Sequence, residues 1–109
     1  MAEPLYIVAD IGGTHARFAH VDGHRPVLRD VQVLLCASYE TPLEAIQDYL
    51  ATHKLTHITG CCLALATRVQ EERIKLTNNH WQFDKGQISA NIQAPVLFIN
   101  DLAASAYAL

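Results

Sequence analysis

Two consecutive glycines, Gly12 and Gly13, stand between an apolar run and an alternating one, and this placement constrains the fold more than any other feature of the chain. The run before them, Leu5, Tyr6, Ile7, Val8 and Ala9, reads as a buried strand ending on the carboxylate of Asp10. Residues 15–21 then alternate, with Ala16 and Phe18 on one side and Arg17, Ala19 and Val21 on the other, before a turn at Asp22-Gly23. Strand, glycine turn and strand follow one another without a helix, unlike the phosphate loops that open into one. Asp10, Gly12, Gly13 and Thr14 form a phosphate-loop candidate all the same, because glycines let backbone N–H groups come close to an anion. A turn-stabilising carboxylate is the competing reading of Asp10.

Further elements follow in order. Residues 31–36 read as a third strand. Thr41 and Pro42 open a helix in which Leu43, Ile46, Tyr49 and Leu50 recur at helical spacing to about residue 53. Residues 58–66 are continuously apolar, as in a strand covered on both faces, and residues 73–77 make a shorter alternating strand. A short helix at 87–92 and an apolar strand at 96–99 come next, and Asn100-Asp101 switches into an alanine-rich helix over 102–109. An antiparallel three-strand meander followed by helix-linked parallel strands is the α/β, ribonuclease H-like arrangement of actin-like ATPase domains. In such sheets ligands sit beyond the carboxyl ends of the strands, where Asp10, Asn100 and Asp101 all fall, so one crevice is expected to hold them. Asp101 suits two roles there, helix N-cap and general base. The polar run Thr77, Asn78, Asn79, His80 offers amides for sugar hydroxyls, with Asn78 the candidate contact, and Trp81 offers an apolar wall. A simple turn followed by a core tryptophan accounts for the same residues.

At 109 residues the chain makes a single domain, and a net charge of −3 gives no support for nucleic acid as a partner. No apolar stretch approaches the roughly 20 residues of a membrane span, so a cytoplasmic protein without membrane contact is expected. Three cysteines, two of them adjacent, make no disulfide framework, and Cys61 and Cys62 on opposite faces of a strand cannot share a metal. They read as core thiols, and His53 and His57 as surface histidines. The chain stops on Leu109 without a helix cap, which reads as a cut.

Three segments, Asp10 to Phe18, Leu76 to Trp81 and Ile99 to Asp101 with the alanine-rich stretch after it, resemble the N-terminal domain of the bacterial glucokinase family in order and spacing. The resemblance implies an ATP-dependent hexose (glucose) 6-kinase. It implies that Asp10, Gly12, Gly13 and Thr14 cradle ATP with Mg2+, the metal held by Asp10 through water. It also implies that Asn100 and Asp101 bind the sugar and that Asp101 takes the proton of its 6-hydroxyl. The family's C-terminal domain, absent from this chain, would supply further sugar contacts and most of the adenine pocket. The fragment is therefore expected to be inactive alone and to self-associate through residues 102–109. Two departures stand out: His15 where the family has Asn, and Ala-Thr-Arg-Val-Gln-Glu-Glu at 66–72 where it has a Pro-Val segment leading to Gly-Asp. They favour, as the alternative, a non-catalytic sugar-sensing relative that keeps the fold. A magnesium-dependent ribonuclease H-like nuclease is a third reading, but Ala66 and Thr67 give no carboxylate where its cluster needs one.

Overall fold

The computed structural model describes residues 4–23 and 27–100. Strand β1 (Leu5–Ile11) pairs antiparallel with β2 (His15–Asp22), which pairs antiparallel with β3 (Arg29–Leu35). Helix α1 (Pro42–Thr52) leads to β4 (Gly60–Leu65), parallel to β1, and β7 (Val96–Asn100) lies parallel to β4. The five-stranded order is thus β3-β2-β1-β4-β7. Between β4 and β7 the chain builds a small hairpin of β5 (Arg73–Lys75) and β6 (Gln82–Asp84), followed by α2 (Lys85–Ile92).

Several expected boundaries shift for physical reasons. The third strand stops at Leu35, because Cys36 opens a 3₁₀ turn, Cys36–Ser38. The strand expected over 58–66 is confined to Gly60–Leu65, and it is not covered equally on both faces: Cys61, Leu63 and Leu65 are buried, whereas Cys62 and Ala64 are half-buried. The strand expected over 73–77 is only Arg73–Lys75, since Leu76 already takes part in the hairpin loop, its N–H donating to the Trp81 carbonyl at 3.0 Å.

Side chains on one face of the main sheet meet α1, whose Ala45, Ile46 and Tyr49 are fully buried, and the Tyr49 ring stacks on Phe18 at 5.5 Å between centroids. The Phe83 ring, on β6, stacks on Phe98 of β7 at 5.8 Å and seats the hairpin on the same core face. On the opposite face Tyr6, Val31, Val33, Leu35 and Leu97 remain exposed. Cys36 and Cys61 are core thiols as expected, whereas Cys62, alternating to the other face of β4, is only half-buried; burial pushes the Cys61 thiol up to about 12.

Tyr49 also carries a polar network. Its hydroxyl donates to the Asp30 carbonyl at 3.0 Å and lies 3.2 Å from Nδ1 of the buried His20. Burial, reinforced by the Asp30 carboxylate, pushes the Tyr49 phenol up to about 12. A phenol that ionises near ~10 in the unfolded chain is neutral in both states below that pH. The stabilisation from keeping it protonated is therefore constant up to pH ~10 and lost as pH rises from there towards about 12. Urea midpoints measured across this interval should fall, and Tyr49→Phe should remove part of the fall. Tyr39, raised to about 12 mainly by its hydrogen bond to the Asp48 carboxylate, accounts for another part.

Candidate functional site

The register fixes where the candidate residues stand. Asp10 is level with Arg17 on one side and Ala64 on the other, and Ala64 with Ile99, in a row across the exposed face. The next row towards the carboxyl edge, on the core face, holds Ile11, Leu65 and Asn100. With strands about 4.8 Å apart, β1 and β7 end about 10 Å from each other. Asp10 and Asn100 thus share an edge, and strand alternation turns them to opposite faces of it. Asp101 and the 102–109 stretch, with the self-association expected of it, lie outside the described residues.

Between β1 and β2 the chain turns on itself, the Gly12 N–H donating to the His15 carbonyl at 2.9 Å. Neither glycine adopts a positive φ. Crowding is what requires them: a Cβ on Gly12 would stand 3.1 Å from the His15 carbonyl oxygen, and one on Gly13 would stand 3.0 Å from that of Asn78. Among the described residues the Gly13 and Thr14 N–H groups donate to no protein acceptor, and Thr14 is exposed. Beside them is a cavity of about 310 Å³ lined by Asp10, Gly12, His15, Arg17 and Val33. Arg17 was not among the sequence candidates. Only the hairpin register, which sets it opposite Asp10, could have marked it. A larger cavity of about 520 Å³, between the ends of α1 and α2, contains none of the candidate residues.

The Leu76 to Trp81 run divides its roles. Asn78 is exposed, with its backbone oxygen against Gly13. Asn79 donates from Nδ2 to the Gly12 carbonyl at 3.1 Å and accepts the Trp81 N–H on Oδ1 at 2.7 Å. Trp81 is fully buried and donates its indole N–H to the Tyr39 carbonyl at 2.9 Å. It is a core residue, the simpler of the two readings that the sequence allowed. The 66–72 segment, though it lacks turn residues, is pinned to α2: the Glu72 carboxylate accepts the Gly86 N–H at 2.7 Å, and the Glu72 carbonyl accepts the Lys85 N–H at 3.0 Å. Glu72 supplies the cap that the N-cap residue Asp84 does not.

No group of three or more His, Cys, Asp or Glu residues converges among the described residues. One hard carboxylate such as Asp10 fits Mg2+, an ion that keeps several waters and is usually held by one or two carboxylates plus substrate phosphates.

A Gly-Gly loop between antiparallel strands, at the carboxyl edge of a sheet whose later strands are parallel, defines a ribonuclease H-like domain of the actin-like ATPase class. The glucokinase family model matches residues 7–109, and the chain belongs to that family. It is 42% identical over 101 residues to the glucokinase of Hahella chejuensis, covering 92% of this chain and 31% of that protein. It is 38% identical over 107 residues to the glucokinase of Pseudomonas paraeruginosa, covering 95% and 31%. Among solved structures, a glucokinase from an Antarctic psychrotroph superposes with a TM-score of 0.84 at 31% identity, over 98% of this chain and 35% of that one. The glucose complex of the Balamuthia mandrillaris glucokinase, at 23% identity and a TM-score of 0.67 over 97% and 32% of the two chains, shares the fold. The chain spans about a third of the length of these relatives.

Proposed function

We propose that this chain contributes the nucleotide-phosphate loop and part of the sugar site of an ATP-dependent glucose 6-kinase. The observation that carries the reading is the pair of N–H groups at Gly13 and Thr14 that have no protein acceptor, on a tightly packed loop whose Gly12 lines a cavity with Asp10 and Arg17. Phosphoryl transfer depends on positioning and charge neutralisation more than on covalent help, and this loop is built for both. The Gly13 and Thr14 amides and Arg17 receive phosphate oxygens. Asp10 would hold a hydrated Mg2+, which would supply neutralisation of phosphate charge. Asn100, at the end of β7, holds sugar hydroxyls from the same edge with Asn78 on the hairpin, and Asp101 accepts the 6-hydroxyl proton as the oxygen attacks the γ-phosphorus of ATP and the bond from that phosphorus to the ADP oxygen breaks. The solved ROK-family glucokinase of Streptomyces griseus was crystallised with glucose and AMPPNP, a pairing that suits these two half-sites.

Binding tests this on the chain itself. The wild type should bind MgATP in a calorimetric titration, and Gly13→Val should weaken binding at least about tenfold, because the side chain cannot fit against Asn78 without moving the loop. Equal affinity in the two proteins would remove the loop from the nucleotide site.

A further inference from the structure

We propose that Asn79 is a positioning residue for the Gly12–Gly13 loop, aiming the Gly13 N–H by holding the Gly12 carbonyl; this rests on reading the loop as the nucleotide's. The Gly12 carbonyl and the Gly13 N–H belong to one planar peptide unit and point in opposite directions, so whatever fixes the first fixes the second. Asn79 Nδ2 donates to that carbonyl at 3.1 Å, and the Cys36 thiol lies against it at 3.7 Å. The carboxamide cannot turn away. Its Oδ1 accepts the Trp81 N–H at 2.7 Å, and only one orientation of the amide serves a donor on one side and an acceptor on the other. Trp81 is locked in the core, with its indole N–H on the Tyr39 carbonyl. The frame behind the strut is therefore rigid, while the loop in front of it is partly exposed. Cys36 holds the far side of the turn through its own N–H, which donates to the Thr14 carbonyl at 2.9 Å. A donor on a glycine-rich turn is free to swing unless its peptide plane is clamped, and Asn79 is the side chain that clamps it.

Asn79→Asp separates this role from the residue's part in its own turn. The Asp keeps an oxygen for the Trp81 N–H but sets an anionic oxygen, in place of a donor, against the Gly12 carbonyl. Exchange of the Gly12 amide, which the His15 carbonyl protects within the same turn, read by NMR on the 109-residue chain, should quicken roughly five- to tenfold as the unclamped turn opens more readily. Amides of Ile7 and Leu63 should exchange as before, and MgATP affinity should drop by a similar factor. A folded Asp variant with unchanged Gly12 exchange, or with faster exchange and unchanged MgATP affinity, overturns the proposal. If the Asp variant does not fold, Asn79→Ser replaces it: its hydroxyl can serve the turn but is too short to reach Gly12. Failure of both to fold makes Asn79 a scaffold residue and likewise overturns the proposal. Should the wild type bind no MgATP while Asn79→Asp still loosens the loop, the clamp stands and the nucleotide reading fails.

Discussion

Trp81→Ala should cost about 3–5 kcal/mol of stability, enough to consume much of the total for a domain of this size. The indole is fully buried, and its removal leaves a large cavity beneath the hairpin. It also strips a donor from the Tyr39 carbonyl, to which His80 Nε2 comes within 2.7 Å. The damage should spread to the loop, because the indole anchors the stretch of backbone whose N–H holds Asn79 Oδ1. Urea unfolding followed by circular dichroism gives the number, and a loss below about 1 kcal/mol, the scale of a surface substitution, would mean that the hairpin is held by something other than its tryptophan.

Asp101→Asn should lower turnover by about 10²–10⁴ in an enzyme that joins this chain to the remaining length of its relatives. The strand β7 runs to Asn100, at the edge where the Gly-Gly loop also opens. A carboxylate there can take a proton, and an amide cannot. Asn caps helices about as well as Asp, so the substitution should leave folding intact and isolate the chemistry. Steady-state rates with glucose and MgATP decide it: a variant within about threefold of the parent would leave Asp101 a cap and nothing more.

What the sequence revealed depended on how locally each feature was encoded. The β2 strand and α1 announce themselves by periodicity, β1 and the core of β4 by unbroken apolar runs, and the Gly-Gly turn by composition. The meander and parallel pairing of β1, β4 and β7 follow from them. The hairpin did not show, because β6 is three residues long and too short to display alternation. The reason for the glycines was hidden as well: it lies in the backbone of Asn78, 65 positions away in the chain for Gly13, and not in any local φ. Glu72 capping α2 from outside the helix, and Asn79 reaching Gly12, are contacts between segments, and no spacing rule contains them. Trp81 was legible as a residue of consequence, but its side of the choice between wall and core was decided by Tyr39.

The strand order carries a consequence for how the protein is made. The β1, β2 and β3 meander joins neighbours in sequence, whereas β4 and β7 are laid down beside β1 and β4 only after long crossovers. Local pairings close cheaply and early, and distant ones wait for the intervening chain. On the ribosome the first 35 residues can therefore fold into the hairpins that shape the Gly-Gly turn before Asn100 has been synthesised. The loop's clamp arrives later, with Asn79, and the end of β7 later still. A nascent chain thus holds the Gly-Gly turn, at first unbraced, well before the strand that completes its edge of the sheet.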